Sequence, residues 1–193
     1  EMRIIAGACK GHKISTFGGG YRPTSGIIKK SLFDIIAAVV EGSRFLDIFA
    51  GSGAVGLEAL SRGAEFTCFI ENNKSRVNVL RENIERLGFD ESSYEILPMD
   101  YAYALQSLLE RRETFDIIFI DPPYSTIMPG RILGEIVASR VLASDGIIVL
   151  EGARKDSRKT LDAMPEELYP VREQDHGGTA LIFFRWRESE AAE

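Results

Sequence analysis

From residue 44 onward the chain alternates between short apolar runs and amphipathic stretches, and that alternation leaves few folds open. Residues 44–49 read as a strand, 54–61 as a helix and 66–70 as a strand; 74–87 reads as a helix that Gly88 stops. The pattern continues with strand 94–97, helix 102–112, strand 115–120, helix 131–141 and strand 146–151. Links this short force each helix to cross back over the sheet, so consecutive strands run parallel with helices on both faces. Every carboxyl end then falls on one edge, where ligands of such sheets bind. The end departs from this rule. Residues 168–174 and 179–186 flank Asp175-His176-Gly177-Gly178 and read as an antiparallel hairpin that closes the sheet edge.

Before residue 44 the pattern differs. Residues 3–7 and 12–16 read as a small hairpin punctuated by Gly7 and Gly11. Residues 17–21 form a link, and 25–40 carry the apolar spacing of an amphipathic helix, capped by Thr24 or Ser25 and ended by Gly42. The expected organisation is an appendage over 1–43 and a main domain over 44–193. The fold class is α/β, a doubly wound, mostly parallel sheet with an antiparallel C-terminal hairpin and a small N-terminal β-hairpin plus helix.

Charge is distributed unevenly. The chain carries −6 overall, yet residues 1–44 hold seven Lys and Arg against three Asp and Glu. Such a segment suits phosphate contacts through Lys10, Lys13 and Arg22. No apolar run approaches the roughly 18 residues of a membrane helix. The start lacks a signal-peptide core. The two cysteines, Cys9 and Cys68, have no metal or redox spacing. The expectation is a cytoplasmic protein without metal or membrane.

The first strand of the alternating region runs into Gly51, Gly53 and Gly56, spaced GxGxxG between a strand and a helix. That turn also suits NAD-binding enzymes. Carboxylates shift the reading toward S-adenosylmethionine. Asp47 sits at the strand end, where a cationic ligand fits better than a pyrophosphate. Glu71, followed by Asn72, ends the next strand about 20 residues beyond the glycines and is placed to accept ribose hydroxyls. Asp100 ends the third, placed for an adenine amino group with Met99 or Tyr101 against the ring. The fourth strand ends in Asp121-Pro122-Pro123-Tyr124. A carboxylate, carbonyls beside prolines that have no N–H, and an aromatic ring can together hold an amino group on a flat base.

These motifs resemble those of class I S-adenosylmethionine-dependent methyltransferases, whose Rossmann-like fold the alternation also fits. The resemblance narrows with Met2-Arg3-Ile4-Ile5-Ala6-Gly7, Lys10-Gly11, Arg22-Pro23-Thr24, Leu32-Phe33 and the run from Phe49 to Ala64. Together these are similar to the RsmD family, which methylates N2 of a guanine in bacterial 16S ribosomal RNA. Gly26 and Lys30 depart from it, standing where the family carries acids. The resemblance implies a cofactor site of Asp47, Phe49, Gly51, Gly53, Glu71, Asn72, Asp100 and Tyr101. It implies catalysis at Asp121, Pro122 and Tyr124, and RNA contacts at Lys10, Lys13, Arg22 and Thr24. The implied partner is small-subunit ribosomal RNA, alone or within a 30S particle. His12 and His176 read as structural or RNA-contacting residues. The alternative is methylation of adenine N6 in DNA or RNA, because the tetrapeptide alone does not choose between the two bases. A nucleotide-binding oxidoreductase and an inactive RNA-binding module are the readings from other classes.

Overall fold

The computed structural model describes residues 2–16, 25–123 and 128–187. Its main body is a seven-stranded sheet in the order β5-β4-β3-β6-β7-β9-β8. These strands are β3 (Arg44–Ile48), β4 (Phe66–Ile70), β5 (Tyr94–Leu97), β6 (Phe115–Ile120), β7 (Leu142–Ala153), β8 (Leu168–His176) and β9 (Thr179–Trp186). The first five pair in parallel. Strand β9 runs antiparallel to β7, and β8 antiparallel to β9. The hairpin therefore closes the edge as expected, with β9 rather than β8 against the parallel strands. Strands β1 (Met2–Arg3) and β2 (Lys13–Ile14) form a separate antiparallel ribbon.

The helices are α1 (Gly26–Ile35), α2 (Ala37–Val40), α3 (Gly56–Ser61), α4 (Lys74–Leu87), α5 (Tyr101–Glu110), α6 (Pro129–Ser139) and α7 (Ser157–Asp162). Helices α5 and α6 cover one face of the sheet, sharing a core with Ile118, Ile120, Ile148 and Leu150. Helices α1 and α3 cover the other, packing on Phe119, Val149 and Phe183. Ile4, Cys9 and Ile14 of the N-terminal ribbon share a third cluster with Leu57, Leu80 and Ile84 of α3 and α4. Alternation of side chains along a strand feeds both faces, which is why β6 is apolar almost throughout.

Local signals set the elements that match expectation. Asn73 accepts from the N–H groups of Ser75 and Arg76 and starts α4, and Gly88 ends it at φ 71°. Other boundaries differ. The helix expected over 25–40 breaks at Ile36, between α1 and α2. Ser25 caps it, accepting from Ile28 N–H at 3.2 Å. Helix α3 starts at Gly56 rather than 54, because residues 50–55 are spent on the turn. Helix α6 starts at Pro129, whose missing N–H costs nothing in a first turn. Strand β7 begins at Leu142, and Trp186 Nε1 donates to Ala143 O at 3.0 Å, fixing that early end. Helix α7 is an element the periodicity did not give. The expected link at 17–21, Arg22, Thr24, Tyr124 and the polar tail beyond 187 lie outside the described residues.

Candidate active site at the carboxyl edge of the sheet

The glycine turn between β3 and α3 is held in an unusual backbone. Phe49, Gly51 and Gly53 have φ values of 68°, 57° and 81°. Glycine takes such angles freely, but at Phe49 they cost free energy and persist only because the surroundings enforce them. The turn's own N–H groups are largely spent on holding it: Ala50's donates to Ile70 O at 3.0 Å and Gly53's to Ala50 O at 2.8 Å. A Cβ on Gly53 would stand 2.3 Å from Leu80 Cδ1, so this turn is also closely packed from behind.

The carboxylates on the neighbouring strand ends hold this turn in shape. Asp47 is buried, and its Oδ2 accepts from Gly56 N–H at 2.9 Å. Burial pushes its carboxyl up to about 7; the Gly56 hydrogen bond opposes the shift and nearby Glu71 adds to it. Glu71 is also buried. Its Oε2 accepts from Gly51 N–H at 2.9 Å and its Oε1 from Asn73 N–H at 2.8 Å. Asn72 beside it is exposed. Each oxygen of Glu71 keeps a second lone pair for a ligand hydroxyl. Asp100 caps α5 through Oδ1, which accepts from Ala102 N–H at 2.9 Å. Tyr101 is mostly buried, with its ring tilted against that of half-buried Phe49 at 5.2 Å between centroids. These residues fit a ligand with a ribose and a flat ring: a left-handed turn, a carboxylate with spare acceptor capacity and an aromatic pair lie on one edge.

Strand β6 lies beside β3, with Ile48 opposite Ile120. Asp121 thus emerges next to the glycine turn, and its N–H donates to Ile48 O at 3.4 Å. It is buried, as is Pro122, whereas Pro123 is exposed. The structure brings Asp47, Glu71, Asp100 and Asp121 to a single edge. Lys10 and Lys13 are exposed on the N-terminal ribbon. His12 Nδ1 lies 2.9 Å from Cys9 O within that ribbon.

Two groups that hold the site went unread in the sequence. Glu58, on α3 directly after the turn, is fully buried with Lys29 of α1. Glu58 Oε2 lies 3.0 Å from Lys29 Nζ and accepts from Ile5 N–H at 2.8 Å. Its Oε1 accepts from Ala6 N–H at 2.9 Å and from Arg62 Nε at 2.8 Å. Lys29 Nζ also donates to Arg3 O at 2.8 Å. Burial lowers the Lys29 pKa, and the Glu58 carboxylate works against that shift. Asn83 of α4 is the second. It donates to Ser52 O at 3.0 Å and to Ser15 O at 2.9 Å, and accepts from Ser15 N–H at 2.9 Å. The N-terminal ribbon is therefore tied to the glycine turn. The signal was present: Asn83 falls on the apolar face of Val77, Leu80 and Ile84, and Glu58 sits among Leu57, Ala59 and Leu60.

Among the described residues, no cluster of His, Cys, Asp and Glu could hold a metal ion. Among the same residues, no helix is long and apolar enough to cross a membrane.

Comparison with known proteins gives a consistent picture. A family model described as "Conserved hypothetical protein 95" matches residues 2–185. Ribosomal RNA small subunit methyltransferase D of Buchnera aphidicola is 34% identical over 158 residues, covering 81% of each chain. A solved structure of a hypothetical protein from Thermus thermophilus is 28% identical with a TM-score of 0.81, covering 96% of this chain and 99% of that one. A more distant solved chain, SMU.776, complexed with SAH, shares the fold at 15% identity and a TM-score of 0.71, covering 89% of this chain and 53% of that one.

Proposed function

Since the chain belongs to the family described as Conserved hypothetical protein 95, we propose that it transfers a methyl group from S-adenosylmethionine to the exocyclic N2 of a guanine in small-subunit ribosomal RNA. One observation carries the reading. The strained glycine turn of β3 and the Asp121-Pro122 end of β6 are neighbours on one sheet edge. The name of the Buchnera relative supports ribosomal RNA as the substrate, and the bound SAH in SMU.776 supports the cofactor. The choice of guanine rests on the family resemblance in the motifs at residues 2–7, 10–11 and 22–24.

When bound, the cofactor supplies an electrophilic methyl group on a sulfonium. The protein's part is alignment and electrostatics. Glu71 and the glycine turn orient the nucleoside end. The amine lone pair of guanine is delocalised into its ring. Hydrogen bonds from that amine to Asp121 and to the Pro122 carbonyl favour pyramidalisation and stabilise the positive charge that develops on nitrogen. Asp121 need not be a strong base, because the methylated ammonium-like nitrogen is itself acidic. Tyr124 stacks on the extruded base, while the ribbon cations Lys10 and Lys13, with Arg22 and Thr24, hold RNA phosphates. The substrate is free RNA or RNA within a 30S particle, met in the cytoplasm.

The test compares small-subunit RNA from cells with and without this gene by mass spectrometry of modified nucleosides. Loss of one N2-methylguanosine, restored by the gene, is the expected result. Loss of an N6-methyladenosine instead would move the target to adenine, and no change would refute the assignment.

A further inference from the structure

The N-terminal ribbon is docked on the cofactor half of the molecule at two points. The first is α3. Ile5 and Ala6 N–H groups donate to Glu58, Ala8 N–H donates to Ser61 O at 2.7 Å, and Cys9 N–H donates to Ser61 Oγ at 3.0 Å. Gly7, at φ 83°, comes so close that a Cβ there would stand 1.7 Å from Ser61 O. Helix α3 starts where the glycine turn ends, so this contact sets the ribbon beside the turn. The second point is Ser15. It follows Ile14, the last residue of β2, and is followed in sequence by the residues leading to Arg22 and Thr24.

Asn83 of α4 holds that second point. It is 1% exposed. Its partners are one N–H and two carbonyls: Oδ1 accepts from Ser15 N–H at 2.9 Å, and Nδ2 donates to Ser15 O at 2.9 Å and Ser52 O at 3.0 Å. That set admits only one orientation of the amide. Ser52 sits between Gly51 and Gly53, at φ 57° and 81°, so its carbonyl points where the left-handed turn directs it. A ligand that firms the turn therefore also firms the bond to Asn83. Packing alone asks for an apolar residue here, as at Val77, Leu80 and Ile84 on the same buried face. A buried amide costs free energy unless its groups are bonded. Arg86 also donates to Ser15 Oγ at 3.0 Å, which holds Ser15 to α4 without touching the turn. Asn83 alone of these two residues reaches both segments.

We propose that Asn83 is a positioning residue that couples cofactor binding to RNA binding. Cofactor in the glycine turn fixes Ser52, Asn83 passes that order to Ser15, and the end of the ribbon meets RNA already held in place. The coupling rests on the methyl-transfer reading above and deepens it. The two states are the bridge closed and the bridge open. The first ligand to bind bears the entropy loss of closing it, and the second meets an ordered chain. Coupling of binding free energies is reciprocal, so RNA must tighten the cofactor by the same factor.

The test measures affinity for SAH, which has no methyl group to transfer, and for small-subunit RNA, free and within 30S particles, each with and without the other. In the unaltered protein each should tighten the other by at least about fivefold, and by equal factors. In Asn83→Ala, shown to be folded by urea titration, the factor should fall to about 1. Ile136→Ala, in the core shared by α5 and α6, lowers stability without touching the bridge and should keep the full factor. A factor retained in Asn83→Ala, or lost equally in Ile136→Ala, overturns the role of Asn83. A second readout needs no variant. SAH should slow amide hydrogen exchange at Ser15 of the unaltered protein by at least about fivefold. Unchanged exchange there overturns the proposal even where Asn83→Ala does not fold. RNA and SAH that bind independently overturn the coupling alone. Absence of binding to either form of the RNA overturns the substrate reading, and the coupling with it.

Discussion

The two halves of the sheet edge are built differently. On the β3–β4 half, the carboxylates of Asp47 and Glu71 are buried and already accept backbone N–H groups of the turn they shape. On the β6–β7 half, the edge carries two prolines and an open cavity, beside which exposed Arg154, Arg158 and Lys159 pair with Asp175, Asp162 and Asp156. The first half spends its polar groups on holding its own backbone, which suits a small ligand bound the same way each time. The second holds its charges in exposed pairs worth about 0–1 kcal/mol each, which a large substrate arriving from outside can displace.

Substitutions can break this comparison. The largest effect is expected at Asp121. Asp121→Ala should reduce methyl transfer by about 10²–10³-fold, equivalent to roughly 2.7–4 kcal/mol, with cofactor affinity retained. Full activity in that variant would end its catalytic role. Behind the glycine turn, Lys29→Ala leaves Glu58 with one fewer cation in a fully buried network. It should lower unfolding stability by about 3 kcal/mol in urea titrations; a loss under 1 kcal/mol would show that Arg62 and the backbone donors suffice for Glu58. Next, Glu71→Ala orphans the N–H groups of Gly51 and Asn73. A stability loss of about 1–3 kcal/mol together with weaker cofactor binding is expected. Unchanged stability would mean that the two halves are not so different.

The last effect is a pH slope, modest per pH unit. The Asp47 carboxyl titrates at about 7 in the folded chain, above its ordinary value of 3.8. The native state therefore keeps a proton that the unfolded chain releases. The stability linked to that proton is fully present below 3.8 and is lost as pH rises to about 7. Asp47→Asn keeps an acceptor for Gly56 N–H but does not titrate. Across that window the stability difference should move in favour of the variant by about 1.4 kcal/mol per pH unit. Parallel stability curves for the two proteins would remove the burial argument.

How much could be read in advance follows the range of the forces. Strands over 66–70, 94–97 and 115–120 and the helix over 74–87 stand where periodicity, Asn73 and Gly88 put them. Those signals act within a turn or two of chain. The break at Ile36, the early start of β7 and helix α7 carried no local mark. Leu142 pairs with Phe115 and Trp186 reaches back to Ala143, contacts that no window of sequence contains. Lys29 counted only as one of the cations of residues 1–44, on a helix that departs from its family at Gly26 and Lys30; the structure buries it against Glu58, whereas Lys30 is exposed and pairs with Asp34 at 2.6 Å.

The sequence by itself determined the alternation, the glycine turn, the Asp-Pro-Pro-Tyr end and thereby the edge at which chemistry occurs, because apolar periodicity and φ-restricted residues act locally. Only the tertiary structure decided what each polar group is used for. Whether Asp47 and Glu71 shape a turn and whether Lys29 is a buried partner depend on which distant groups come to lie within about 3 Å of them, the reach of a hydrogen bond. That is a property of packing, and strand order and helix docking set it across separations of up to dozens of residues.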